Sequence, residues 1–198
     1  GARFFPVLPT SGTTLISTDS ARANRVYRSK QGQPEAVPKL NFNEVGRRNK
    51  AILGMSPLQL ANLIWKDDGI FTLSGQGGDE AGSGFVEDEL DPTAQLRASP
   101  TLVLLNNTAI GFTSQGVLQA GQGEPVILSR PQVETALLRI AQFSLFSTLA
   151  HAVGYESDRK LILCVPETAA DSTCTIAYVY NYGTNSWTTW RKPIAAAH

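Results

Sequence analysis

The stretch Leu63-Ile-Trp-Lys-Asp-Asp-Gly-Ile-Phe-Thr-Leu-Ser-Gly75 constrains this chain more than any other. Two apolar runs flank Lys66-Asp-Asp-Gly69, and Asp-Gly between such runs is among the strongest short-range hairpin signals. A reduced copy, Ala109-Ile-Gly-Phe-Thr-Ser-Gln-Gly-Val-Leu-Gln-Ala-Gly121, follows about 47 residues later. One supersecondary unit recurring at a period in the forties predicts a repeat architecture, with propeller blades as the leading candidate.

Composition agrees with many short elements. The 198 residues include 17 glycines and 11 prolines, scattered rather than clustered, and frequent turns favour a sandwich, barrel or propeller. The expected fold is mainly β: a partial β-propeller of about three blade-like antiparallel units. We read residues 1–198 as one such domain, with residues 1–24 as an arm or edge segment, because Pro6 and Pro9 exclude a central strand there. The start lacks Met and a signal-peptide pattern, and Ile194-Ala-Ala-Ala-His198 has the look of a cut, so a fragment of a longer chain is expected.

Between the hairpins, short apolar runs read as strands: Arg25–Lys30, Ala51–Met55, Phe85–Leu90 at a sheet edge, and Thr101–Leu105 as a strand buried on both faces. Asn41–Gly46 reads as a polar loop. Ser56-Pro57-Leu-Gln59 carries a capping-box signature, with room for a single helical turn. Ser129-Arg-Pro-Gln132 carries another. Val133, Ala136, Leu137 and Ile140 follow at i, i+3, i+4, i+7, predicting one amphipathic helix over 131–143. The last third predicts strands over Ala150–Tyr155 and Lys160–Val165 around the turn Glu156–Arg159. An aromatic hairpin, Thr173–Tyr182 with Trp187–Trp190, follows. Its alternative reading is an aromatic ligand platform.

No catalytic constellation appears. Net charge is zero and the sequence pI is near 6.9, so the chain lacks the excess of Lys and Arg that gripping nucleic acid requires. No apolar run reaches the roughly 18 residues of a membrane-spanning helix. Glycine-rich Gly75–Gly84 lacks the Gly-Lys-Ser/Thr ending of a phosphate loop and carries Asp79 and Glu80 instead. His151 and His198 are the only histidines, and His151 lies in an apolar segment as a core residue would. Cys164 and Cys174 read as two reduced, buried thiols, with a cross-strand bridge as the alternative. Carboxylates gather at Asp67-Asp68, at Glu87-Asp88-Glu89 and at Asp91. Glycosidases use two carboxylates about 5–10 Å apart, but a solvated acidic face is the simpler reading. No catalytic, metal or cofactor-binding residue is assigned. The residues singled out are structural: Gly69, Gly75, Gly116 and Gly121 at turns and strand ends, with Trp65, Trp187 and Trp190 packing within and between blades.

From Arg25 to Trp190 the ordered motifs resemble one family. Arg25-Val-Tyr-Arg-Ser-Lys30 with Pro34-Glu-Ala-Val-Pro38, the two hairpins, Ile127-Leu-Ser-Arg-Pro131, Tyr155–Pro166 and Tyr178–Trp190 are similar to the β-propeller tail proteins of short-tailed bacteriophages. These are called nozzle, tail-hub or packaged-DNA-stabilisation proteins. They are several times longer and complete a ring of blades, whereas three blades do not close a propeller. The resemblance implies a non-enzymatic virion component without cofactor, assembled in the host cytoplasm. Copies would form a six-fold ring at the distal tail, attached to the tail adaptor below the portal. Double-stranded DNA would pass through the channel unbound, retained and then ejected. A neutral wall suits such a conduit, because each phosphate contact would resist ejection. A receptor- or glycan-binding propeller is the second expectation, and an enzyme degrading bacterial surface glycans the third.

Overall fold

The computed structural model describes residues 3–5, 16–19, 22–30, 33, 35–75, 84–121 and 123–194. The described residues are mainly β, with sixteen strands in four antiparallel sheets. Each sheet is a four-stranded meander of consecutive strands. The first contains β1 (Arg3–Phe5), β2 (Ile16–Asp19), β3 (Arg22–Arg28) and β4 (Phe42–Glu44). The second contains β5 (Ile52–Pro57), β6 (Ala61–Lys66), β7 (Ile70–Gly75) and β8 (Phe85–Asp91). The third contains β9 (Val103–Leu105), β10 (Thr108–Thr113), β11 (Gly116–Ala120) and β12 (Val126–Ile127). The fourth contains β13 (His151–Tyr155), β14 (Lys160–Val165), β15 (Cys174–Asn181) and β16 (Ser186–Ile194). Two short helices, α1 (Glu134–Ile140) and α2 (Phe146–Leu149), join the third sheet to the fourth. The chain divides into two compact units, one holding β1–β8 and the other β9–β16 with both helices.

Four sheets replace the expected three units. The additional meander is the first, whose β1, β2 and β4 have only three or four residues each. Runs that short have no readable period. Phe42–Glu44, inside the predicted polar loop, pairs with β3 through Arg25↔Glu44 and Tyr27↔Phe42. Arg25 Nη2 also meets Glu44 Oε1 at 2.7 Å. Cross-strand side chains thus hold a strand that lacks an apolar run.

The opening hairpin forms as predicted: Leu63 pairs with Thr72, and Trp65 with Ile70. Gly69 has φ +148°, and a Cβ there would lie 2.8 Å from the Asp91 carbonyl oxygen. The copy forms too, with Phe112 opposite Val117. Its Gly116, at φ +111°, runs directly against the Ser129 hydroxyl. Gly75 at φ +121° abuts the Gly84 backbone, while Gly121 is a bend after β11. Residues 76–83, 31–32 and 34 lie outside the described residues, as do Pro6, Pro9 and residues 195–198.

Two helix expectations change. Ser56 and Pro57 end strand β5 and start no helix; Ser56 pairs with Leu63 and is buried. The Leu58 amide bonds the Ala61 carbonyl at 2.8 Å, closing a turn where a helix would have begun. The predicted helix over 131–143 shortens to Glu134–Ile140, and a second helical turn follows at α2. The capping groups are occupied elsewhere. Ser129 Oγ accepts the Val117 amide at 3.3 Å, and Gln132 Oε1 accepts the Trp187 amide at 3.2 Å. The apolar stripe behaves as predicted, with Leu137 and Ile140 buried and Val133 and Ala136 packed beside them. Thr101–Leu105 is also corrected. Ser99–Thr101 forms a 3-10 turn, and β9 is an edge strand with Leu104 exposed.

Each unit has its own core. In the first, Val26 and Val45 meet Ile52, Met55, Ile64, Phe71, Leu73 and Phe85 between its two sheets. In the second, the inner faces of both sheets and the helices share one cluster, including the tilted pair Phe112 and Phe146 at 4.9 Å. Gly154 of β13 packs on Leu105, and a Cβ there would lie 2.9 Å from Val103 Cγ1. Gly154→Val should therefore destabilise this unit by about 1–3 kcal/mol through overpacking. Urea unfolding followed by far-ultraviolet circular dichroism reads that change, and an unaltered midpoint would refute it.

Candidate functional site

Of the acidic groups singled out in the sequence, Asp67, Asp68 and Glu87 anchor a neighbouring segment, and Asp91 Oδ1 accepts the amides of Thr93 and Ala94 at 2.8 and 3.2 Å. Lys66 alternates with Asn62 and Ile64 on β6 and is fully buried. Its Nζ donates to the carbonyls of Val45 (2.6 Å) and Arg47 (3.2 Å), and lies 3.3 Å from Asp68 Oδ1. Asp68 Oδ2 accepts the Arg47 amide at 3.2 Å, and Glu87 Oε1 the Gly46 amide at 2.9 Å. Asp67 pairs with Lys50 at 3.2 Å. Burial pushes the Lys66 pKa down against the opposing pull of Asp68. Gly46, at φ +57°, is what admits this cluster, since a Cβ there would fall 2.8 Å from Nζ. Asp67, Asp68 and Glu87 hold the 45–50 segment on the second sheet. Sequence reasoning missed Lys66 and Gly46. The available signal was a lysine at an inward-alternating position of an apolar strand.

The two thiols are free and buried. The β14–β15 register places Ala177, not Cys174, opposite Cys164, so the alternative of a directly facing cross-strand bridge is set aside. Cys174 Sγ lies 3.1 Å from the Leu149 carbonyl oxygen and 3.7 Å from His151 Nδ1. His151 Nδ1 also lies 3.0 Å from that carbonyl, which ties one side of the ring to the backbone, while Nε2 is buried with no hydrogen-bond partner among the described residues. Burial raises both thiol pKa values, that of Cys174 to about 11, the reverse of an activated nucleophile. Iodoacetamide at pH 8 should label neither cysteine in the native protein and both in urea, as intact mass will show; rapid native labelling would contradict this. Among the described residues no group of three or more His, Cys, Asp or Glu side chains could hold a metal ion.

The aromatic hairpin is packing rather than platform at its base. Tyr180 and Trp187 stack with centroids 5.0 Å apart. The Trp187 indole N–H donates to the Leu128 carbonyl at 2.9 Å, and the Tyr180 hydroxyl to Asn185 Oδ1 at 2.7 Å. Trp65 is wholly buried and Trp190 is half exposed on β16. Near the same strand, Asp171 Oδ2 accepts the amides of Glu167 and Thr168 at 2.9 Å each and the Thr175 hydroxyl at 2.8 Å. These bonds, the Thr168 amide foremost, hold its pKa below the ordinary 3.8. Their stabilisation is full above that value and is lost as pH falls through the lower folded pKa. Carboxyl NMR titration should put the Asp171 midpoint below 3.8; a midpoint above it would refute this.

Among the described residues, the second unit carries the following clefts. One, of about 560 Å³, lies between Arg97, the Ser114 turn and Leu138, Ala141 and Gln142 near α1. The other, of about 520 Å³, is built entirely from turns: Asn106 after β9, Glu156 and Arg159 between β13 and β14, and Tyr182 with Gly183 between β15 and β16. Its Glu156 Oε1 takes the Asn106 amide at 3.4 Å, and the Tyr182 hydroxyl donates to the Glu156 carbonyl at 3.3 Å.

No protein-family model matches the chain, and no curated protein matches it. Among solved structures, a "Putative exported protein" of Bacteroides fragilis NCTC 9343 is similar at a TM-score of 0.40 and 12% identity; the match covers 96% of this chain and 57% of that one. No helix among the described residues is long and apolar enough to cross a membrane.

Proposed function

We propose that this chain is a structural element of a short-tailed bacteriophage tail, a nozzle or hub protein built on propeller blades, with no enzymatic role. The observation that carries the reading is the run of four consecutive four-stranded meanders, the plan of propeller blades. The later sheets begin at Ile52, Val103 and His151, about fifty residues apart. Asp67, Asp68 and Glu87 serve as anchors and both thiols as core, which favours an architectural role. On this reading copies assemble as a six-fold ring on the tail adaptor, and DNA passes through its channel without specific binding.

The test is assembly. The full-length protein mixed with the tail adaptor should give a ring in negative-stain micrographs and a matching mass by light scattering. A strictly monomeric protein that ignores the adaptor would overturn the proposal.

A further inference from the structure

We propose that an ordered water molecule is bound inside the first unit, on the side-chain amide of Asn62. This does not depend on the assembly reading. The two units bury different chemistry. Among the described residues of the second unit, the buried polar side chains are the hydroxyls of Thr101, Thr113 and Ser129. Each is hydrogen-bonded within the fold: Thr101 to the Ala98 carbonyl, Thr113 to the Gly116 carbonyl and Ser129 to the Val117 amide. The first unit instead buries three amides, Asn24, Asn41 and Asn62, and two cations, Arg28 and Lys66. Backbone carbonyls and Asp68 satisfy Lys66. Nothing comparable meets Asn62.

Asn62 is 1% exposed, and neither its Oδ1 nor its Nδ2 has a hydrogen-bond partner among the described residues. Because both atoms are orphaned, exchanging the oxygen and nitrogen assignments changes nothing. Alternation along β6 puts Asn62 on the face that carries Ile64 and looks into the first unit's core. Its cross-strand neighbours are Pro57 on β5 and Leu73 on β7, and neither side chain has a hydrogen-bonding group. The first sheet forms the opposite wall, where Asn24, Val26 and Arg28 alternate inward along β3. Beside Arg28, Asn41 donates to its carbonyl at 3.3 Å and leaves Oδ1 as a further buried acceptor without a partner. An amide that gives up its hydration and gains no partner carries the full desolvation penalty of both groups. A ligand that relieves it must donate to Oδ1 and accept from Nδ2. It must also be small enough to lie between two packed sheets. Water meets both conditions, since it donates and accepts at once and is the usual occupant of buried polar sites.

The test is water–protein Overhauser spectroscopy on the whole nitrogen-15-labelled protein. The Asn62 Nδ2 protons should show cross-peaks to water whose NOE and ROE have opposite signs, the mark of a bound molecule rather than of proton exchange. Asn62→Leu removes both orphaned atoms while keeping a side chain of similar size. Oxygen-17 relaxation dispersion, which counts long-lived internal water, should then report less of it than in wild type. Absence of the Asn62 cross-peak in wild type, or its appearance with the same-sign pattern of exchange, would overturn the proposal, and this readout is independent of how the variant folds. So would a folded Asn62→Leu protein, with the far-ultraviolet circular dichroism of wild type, whose oxygen-17 dispersion is unchanged.

Discussion

Lys66→Met should remove about 3–5 kcal/mol from the stability of the β1–β8 unit. The methionine stem fills the same volume, so the loss is electrostatic and hydrogen-bonding rather than steric. Without the ammonium, Asp68, whose side chain is only 7% exposed, keeps a nearly buried negative charge with no cation beside it. The carbonyls of Val45 and Arg47 also lose their donor. Adding Asp68→Asn to Lys66→Met should recover part of the loss by removing the orphaned charge, and that non-additivity is the signature of a coupled pair. Wild type should in addition gain on the Met variant as pH rises towards 10.5. Lys66 surrenders its proton in the fold at lower pH than in the unfolded chain, so over that window the unfolded state binds more protons. Urea unfolding at pH 7 and at higher pH measures both effects. A Lys66→Met loss under 1 kcal/mol would show that the cluster is incidental.

Trp65→Ala should cost a comparable 3–5 kcal/mol or so, the usual range for deleting a large buried aromatic. Trp65 is 0% exposed, and its indole N–H finds no acceptor among the described residues. Trp65→Phe therefore gives up volume but no hydrogen bond, and should cost about 1–2 kcal/mol. Trp187→Phe is the informative contrast. It removes less buried surface but abandons the Leu128 carbonyl, a loss of about 1–3 kcal/mol. Rescue by phenylalanine should thus be substantial at 65 and poor at 187. With Trp187→Ala as the reference at 187, far-ultraviolet circular dichroism in urea reads all four variants without relying on the tryptophans removed. Equal rescue at both positions would refute this division of roles.

What could be read in the sequence was local. Asp67-Asp68-Gly69, Asn106-Asn107 and Glu156–Arg159 each announced a turn, and each turn sits where its chemistry puts it. The apolar runs beside them became strands. What could not be read was set by partners distant in sequence. Phe42–Glu44 is a strand because Arg25 and Tyr27 lie opposite, and Ser129 fails as a cap because β11 claims its hydroxyl. Lys66 resembles hairpin-end polarity until Val45 and Arg47 fold over it. The turn-lined cleft was hidden for the same reason: Asn106, Arg159 and Gly183 belong to three separate turns, and only two sheets folded together make them neighbours.

The meander order has a kinetic consequence. Every strand in the four sheets hydrogen-bonds only to strands adjacent in sequence, so no ladder waits for a segment made much later. Contact order is accordingly low for a β protein, and the entropic cost of loop closure stays small at each step. During synthesis each sheet can zip soon after its fourth strand leaves the ribosome, before the whole of the next has emerged. Only the two outer strands of each sheet would then keep an unpaired edge, and the inner ones would be unpaired only briefly.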